Sequence, residues 1–118
     1  MAKKTARVQV TFEDVRLAAL ALPDVVEGTA WGLPAFRKHG NLFLCFRKDL
    51  DAIVVSASFE RRSEMIAENP EIYFTTDHHR NYPWVLARVG KLDAGVIPDL
   101  VRMGWQSAAA KKMRVRAR

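Results

Sequence analysis

The side chains best suited to chemistry are concentrated in one short segment, TTDHHRNYPW, at residues 75–84. It holds two adjacent histidines, an aspartate, an arginine, a tyrosine and a tryptophan. Imidazole and carboxylate groups can bind a metal or move protons, whereas cationic and aromatic groups can contact nucleic acid or a flat ligand. The segment therefore admits four interpretations: a metal site, a catalytic site, a binding surface, or a connection between two elements.

The metal interpretation depends on Asp77, His78 and His79, with His39 as the third histidine of the chain. Consecutive residues of a strand or helix point in divergent directions, so His78 and His79 do not readily share one ion. The chain has no H-x-x-x-H and no C-x-x-C pattern, which are usual spacings of metal ligands. We expect no metal, and a metal chaperone would require at least three converging ligands.

The catalytic interpretation would need an activated nucleophile, and Cys45 is the only cysteine. It lies in the apolar run LFLCF, where burial makes a free thiol inert. The sequence also lacks the G-x-S-x-G elbow and both common glycine-rich phosphate loops. Asp49 and Asp51 lie in a predicted turn, where solvated carboxylates are usual. We therefore predict a protein that is not an enzyme and uses no cofactor.

Length and charge distribution divide the chain into three parts. Its 118 residues fit one domain, and no apolar run is long enough to span a membrane. A basic N-terminal arm at 1–10 and a basic C-terminal tail at 111–118 contain eight basic residues and no acidic one. The single domain at 11–110 carries 11 basic and 13 acidic residues, so the ends supply the net charge of +6. A lone cysteine and no secretory signal favour a cytoplasmic location.

Basic residues within the domain suggest a contact with nucleic acid. Two basic pairs flank a predicted hairpin and one arginine precedes the last strand: Arg37, Lys38, Arg47, Lys48 and Arg80. Such a hairpin could enter a groove as a wing, with its basic side chains on phosphates. The alternative is that basic residues on edge strands deter aggregation and that Trp84 belongs to the core. The residues alone favour this alternative.

Periodicity and turn signals predict an α+β domain in which helices cover one face of an antiparallel sheet. Helices are expected at about 11–22, at 60–70 and from Pro98 onward. An approach loop and one short strand are expected within 23–34, and further strands at 35–39, 41–47, 52–58, 72–74 and 84–90. Gly40-Asn41 is the predicted turn of the hairpin, and the two apolar faces of 84–90 predict an inner strand.

Three segments share a pattern with a known family: LPDVVEGTAWGLPAFRKHGNLFLCF, FTTDHHRNYPWVLARVG and GWQSAAAKKM. Their order and spacing, over about residues 20–113, resemble the MmcQ/YjbR family of small bacterial proteins. Matching positions include Pro23, Glu27, Trp31, Phe36, His78, Arg80, Tyr82, Arg88 and Trp105. The resemblance implies a frataxin-like (CyaY-like) α+β fold and DNA binding through a double-wing arrangement.

The chain departs from the family pattern at Asp77, His79 and Asn81, where the family usually has proline, an aromatic residue and glycine. A role implied for His78 by the resemblance therefore extends less readily to His79. A frataxin-like fold also suggests iron binding through an acidic ridge on the first helix. That region offers only Glu13, Asp14, Asp24 and Glu27, which is too sparse for such a ridge.

Two functional hypotheses follow. The first is a non-enzymatic bacterial protein that binds DNA weakly and with little sequence preference, through its hairpin wings, Arg80 and its basic ends. The second is a ligand- or protein-binding module with a pocket lined by Trp31, His78, Arg80, Tyr82 and Trp84, in which Arg80 holds an anion. Under either hypothesis we expect a monomer or weak dimer that does not bind a membrane.

Overall fold

The computed structural model describes residues 10–117, with side chains described through residue 108. It confirms the α+β class: three helices cover one face of a six-stranded antiparallel sheet. The helices are α1 (Phe12–Leu20), α2 (Phe59–Glu68) and α3 (Ile97–Ala117). The strands are β1 (Val25–Ala30), β2 (Leu33–Lys38), β3 (Asn41–Arg47), β4 (Ala52–Ser56), β5 (Tyr73–Phe74) and β6 (Trp84–Arg88). Their spatial order is β1-β2-β3-β4-β6-β5, so β6 is an inner strand, as predicted.

Local side-chain bonds determine where the first two helices begin. The N–H of Thr11 donates to the Asp14 carboxylate at 2.9 Å, which is the contact that one half of a capping box makes. The hydroxyl of Ser58 accepts the N–H of Arg61 at 3.0 Å, so α2 begins at Phe59. Helix α3 continues to Ala117 and therefore includes most of the segment predicted as a tail. No helix in residues 10–117 is long and apolar enough to cross a bilayer.

Two tight turns define the first half of the sheet, and neither was placed correctly by sequence. Residues 23–34, predicted as an approach loop and a short strand, contain β1, the turn Trp31-Gly32 and the start of β2, so a hairpin of β1 and β2 lies at 25–38. The next turn is His39-Gly40, one residue before the predicted Gly40-Asn41. All four turn residues have positive φ, between 51° and 82°. This matches the type I′ turn, which suits the twist of a hairpin and needs positive φ at both central positions.

The sheet has apolar residues on both faces. The helix-covered face carries the larger core, to which Val55, Val85 and Val101 of α3 contribute. The opposite face, called the open face below, carries a smaller cluster of Ala30, Ala35, Cys45, Val54 and Leu86. Side chains alternate between the faces along each strand, so strands of mainly apolar sequence supply both clusters.

A β-bulge between β2 and β3 changes which side chains of β3 lie on each face of the sheet. Phe36 pairs with Leu44 and Arg37 with Leu42, so Phe43 is an extra residue in the ladder. Phe43 and Leu44 consequently both join the helix-covered core, while Leu42 and Cys45 reach the open face. A β-bulge redirects side chains in this way, and here it supplies two residues to the open face.

Candidate binding cleft on the open face

A cleft with a volume of about 720 Å³ lies on the open face. Its apolar floor comes from three consecutive strands: Leu33, Leu42, Cys45 and Val54. Burial raises the pKa of the Cys45 thiol, and the nearby Arg47 guanidinium offsets only part of that rise. Cys45 is thus a protonated thiol at neutral pH, and it acts as an apolar floor residue rather than a nucleophile.

Trp31 lies at the mouth of the cleft, at the tip of the β1–β2 turn. Its side chain is 83% exposed, the highest value among the exposed large apolar residues of the described chain. Its φ of +53° belongs to the left-handed region, which bulky residues rarely occupy. A tryptophan that is both exposed and held in an unfavourable backbone conformation is more typical of a binding surface than of a folding requirement.

The segment 75–83, between β5 and β6, forms another part of the wall and contributes His78, His79 and Tyr82. Two successive turns shape it, because the N–H of His79 donates to the Thr76 carbonyl and the N–H of Tyr82 donates to the His79 carbonyl. The Thr76 hydroxyl lies 2.8 Å from His79 Nδ1, which fixes the imidazole. Tyr82 is 56% exposed, so the cleft has a second accessible aromatic ring.

Arg62 of α2 holds this wall segment in place. Its Nη1 donates to the carbonyls of His79, Tyr82 and Trp84 at 3.3, 3.0 and 3.3 Å, and its Nη2 donates to the Arg80 carbonyl at 3.0 Å. One planar guanidinium can satisfy several carbonyls at once because its donors are arranged in a rigid fork. Arg62 therefore connects the helix layer to the cleft wall.

The pH dependence of stability should reveal the environment of His79. Burial, followed by His78 and Arg47, lowers the His79 pKa below its ordinary 6.5. Below about pH 6.5 the unfolded chain therefore binds more protons at this site than the folded chain. The free energy of unfolding is expected to fall as the pH decreases through this range, and chemical denaturation at several pH values measures it. In H79N the fall should be smaller; an identical pH profile would contradict this account.

The structure brings together most of the predicted pocket residues but not all of them. Trp31, His78, Tyr82 and Trp84 line the cleft. Arg80 does not: its guanidinium binds the Asp77 carboxylate, and its side chain is 63% exposed. Arg80 follows Asp77 by three residues in this turn segment, which brings its guanidinium to that carboxylate. The anion-binding role that the sequence assigned to Arg80 therefore has no place in this cleft.

The predicted DNA-binding residues do not form a row of free cations. Lys38 is only 9% exposed, and its ammonium lies 3.5 Å from the centre of the Trp105 ring on the helix-covered side. Arg37 donates to the Thr29 carbonyl at 3.1 Å. Arg47 binds both oxygens of a neighbouring aspartate, at 2.9 and 2.7 Å, and lines the cleft. Lys48 is exposed at the start of a short 3₁₀ turn.

Several residues of the cleft were missed by sequence reasoning. The sequence did not indicate the floor residues Leu33, Leu42 and Val54. Strand alternation places Leu42 on the same face as Cys45 only when the bulge at Phe43 is known. Arg47 was assigned to DNA, and His79 was set aside as a departure from the family pattern. The sequence shows Arg62 only as one of two basic residues at the start of the middle helix. Its contact with the cleft wall could not be predicted, because backbone carbonyl acceptors have no sequence pattern. Within residues 10–108, no three His, Cys, Asp or Glu side chains are grouped so that they could hold a metal.

Fold and cleft together define a small α+β protein with a helix-covered sheet face and an apolar cleft on the other. The YjbR family model matches residues 20–107, which is most of the chain, and the protein belongs to the YjbR family. A crystal structure of the Deinococcus radiodurans protein DR2400, with a DUF419 domain, has a similar fold. The TM-score is 0.70 at 18% identity, covering 82% of this chain and 77% of that one.

Sequence relatives among curated proteins match a shorter region. Uncharacterized protein Rv2570 of Mycobacterium tuberculosis strain H37Rv and uncharacterized protein Mb2600 of Mycobacterium bovis are each 35% identical over 49 residues. The match covers 42% of this chain and 38% of each relative's length. These similarities support the family and the fold.

Proposed function

We propose that this protein binds a small, flat, mainly apolar molecule in the open-face cleft. The observation that carries the proposal is the pair of exposed aromatic rings, Trp31 and Tyr82, beside an apolar floor. Small-molecule sites are typically concave, mainly apolar and about 300–1,000 Å³ in volume. A flat guest would remove both rings from water and stack on them, which stabilises the complex.

The two exposed aromatic rings of the cleft are held in position before any ligand arrives. Trp31 is positioned by a two-residue turn that the flanking β1–β2 ladder closes. Tyr82 is positioned by its own turn and by the Arg62 fork. A site organised in advance loses little conformational entropy on binding. The proposal requires no reaction and no cofactor, in keeping with the inert Cys45 thiol.

Replacing either exposed ring with alanine should weaken binding of a flat apolar probe. N-phenyl-1-naphthylamine is uncharged and fluoresces strongly in apolar surroundings, so its titration gives a Kd directly. An aromatic stacking contact contributes about 0.5–1.5 kcal/mol beyond burial, so W31A and Y82A should each raise Kd by roughly 2- to 12-fold. Both residues are exposed, so thermal unfolding should change little.

The matched control is L17A. Leu17 is also exposed, at 57%, but it lies on α1, which packs on the helix-covered side of the sheet. Its replacement removes exposed apolar surface without touching the cleft, so the probe should bind L17A as it binds the unaltered protein. Absence of saturable binding, or equal affinities for W31A, Y82A and L17A, would overturn the proposal.

A second proposal is DNA binding. One observation favours the C-terminal helix, and not the β2–β3 hairpin, as the surface that contacts the DNA. The basic positions Lys111, Lys112, Arg114 and Arg116 lie in the last turns of α3, which extends to Ala117. Consecutive helical turns can present several cations along one duplex backbone. Because Lys38 is buried and Arg47 is bound to an aspartate, the hairpin pairs supply less free charge than the sequence suggested.

Titration with duplex DNA at several salt concentrations tests this second proposal. Each phosphate contact contributes about −0.9 to the slope of log K against log salt concentration. Neutralising the four basic positions of the helix end should flatten that slope, whereas replacing Arg37 and Lys48 with glutamine should change it little. No binding at about 50 mM salt, or a slope that responds only to the hairpin residues, would rule out this version.

A further inference from the structure

Arg47 is the one permanently charged side chain among the described residues that line the cleft. Arg47 is the last residue of β3, and its side chain is 27% exposed. The described residues that line the cleft include this arginine and no carboxylate. Their other polar groups are the Tyr82 hydroxyl, the Cys45 thiol, the two imidazoles and the indole N–H groups of Trp31 and Trp84. An apolar site with one cation at its edge favours a guest that is apolar over most of its surface and negative at one point.

The Asp49 carboxylate positions Arg47 without occupying all its donors. Oδ1 accepts from Nε at 2.9 Å and Oδ2 accepts from Nη2 at 2.7 Å. A guanidinium has five N–H groups, and its other three have no hydrogen-bond partner among the described residues. The two-point contact fixes the plane of the guanidinium, so less freedom is lost when the remaining donors bind an anion.

Neighbouring groups do not cancel this preference. His79, which lines the same cleft, has its pKa lowered chiefly by burial, so at neutral pH its imidazole is uncharged. Asp49 opposes an incoming anion, but its carboxylate is 61% exposed, so water screens much of its charge. The unused N–H groups of Arg47 act at contact distance, where a charged hydrogen bond is strongest.

We propose that the cleft selects flat aromatic molecules that carry one anionic group, such as an aromatic carboxylate, sulfonate or phosphate. The ring system lies between Trp31 and Tyr82 over the apolar floor, and the anion accepts hydrogen bonds from Arg47. This inference rests on the proposed function and adds a ligand class to it. It also assigns to Arg47 the anion-binding role that the sequence had suggested for Arg80.

Two probes with the same ring skeleton test the inference. N-phenyl-1-naphthylamine is neutral, whereas 8-anilinonaphthalene-1-sulfonate carries one sulfonate on an anilinonaphthalene. The measured quantity is the ratio of their affinities, because a loss of packing affects both probes and leaves the ratio unchanged. In R47M the ratio should shift against the sulfonate by about 5- to 10-fold, as expected for one partly exposed charged hydrogen bond. R47K keeps the charge without the fork and should be intermediate.

D49N provides an opposite and independent readout. It removes the competing carboxylate, so the ratio should shift in favour of the sulfonate. Added salt should weaken this preference more than in the unaltered protein, because the Arg47 charge is then unopposed. If the neutral probe binds but the ratio is the same in R47M, D49N and the unaltered protein, the ligand class is wrong while the cleft remains a binding site. If neither probe binds, the proposed function itself fails.

Discussion

Replacing Gly104 with alanine is expected to lower the free energy of unfolding by about 1–3 kcal/mol, although alanine is the better helix former. Gly104 lies where α3 crosses the helix-covered face of the sheet. A Cβ there would lie 2.7 Å from Val55 Cγ1 and 3.0 Å from the carbonyl oxygen of Phe43. The first neighbour is a fully buried side chain and the second is backbone, so neither moves cheaply. The gain in helix propensity, about 1 kcal/mol, opposes but does not cancel this overlap.

Chemical denaturation of G104A, V55A and the double variant would measure how much of the destabilisation comes from the steric overlap between the new methyl group and Val55. V55A alone removes buried apolar volume and destabilises the protein. In the double variant the new methyl group enters the space that Val55 has left, so the combined loss should be smaller than the sum of the two. G95A is the matched control, because the nearest atom to its Cβ is an Asp93 oxygen at 3.8 Å. G95A should be close to neutral; a G104A variant of unchanged stability would mean that α3 lies farther from the sheet.

Local patterns were enough to predict the class of fold but not its first hairpin. The helices and the later strands have strong periodicity and clear stop signals, such as Asn69-Pro70. The β1–β2 hairpin was missed because its turn uses Trp31 at positive φ, a position that propensity assigns to asparagine, aspartate or glycine. The following turn was displaced by one residue for a related reason, since His39 takes the place where a glycine or asparagine was expected.

The cleft is harder to predict from the sequence than the fold, because segments far apart in the chain form it. Trp31 and Tyr82 are separated by more than fifty positions and share a cleft only through the order of the strands. Leu42 reaches the open face because the ladder between β2 and β3 contains an extra residue. A set of suitable side chains can be chosen from the sequence, as Trp31, His78 and Tyr82 were. The sequence does not indicate which arginine lies beside them. The structure places Arg47 in the cleft lining, whereas Arg80 binds Asp77 instead.

The same reasoning explains why the largest expected effect on the cleft comes from a residue outside it. Replacing Arg62 with alanine should lower the free energy of unfolding by about 2–3 kcal/mol, since one charged group donates to four backbone carbonyls. Those carbonyls belong to residues 79, 80, 82 and 84. Without the fork, the segment that carries His79 and Tyr82 loses its connection to α2, and binding of the neutral naphthylamine should weaken as well.

The neighbouring residue offers a close control. Arg61 is on the same helix and binds Glu64 at 3.0 Å, with both side chains more than half exposed. Such a surface ion pair contributes about 0–1 kcal/mol, so R61A should change neither stability nor probe binding appreciably. The stability and probe affinity of R62K should lie between those of R62A and the unaltered protein, because one ammonium cannot reproduce a fork that uses two nitrogens.

Hydrogen exchange separates a general loss of stability from a local release of the wall. In R62A the amides of Tyr82 and Trp84, which donate to the carbonyls of His79 and Tyr82, should exchange faster than amides of β3 and β4. Uniform acceleration across the sheet would instead indicate that Arg62 supports the whole fold. An R62A variant that matched R61A in stability, exchange and probe affinity would show that the turns of 75–83 hold the wall without help from α2. The four contacts favour the local release, because all four carbonyls that accept from Arg62 lie within residues 79–84.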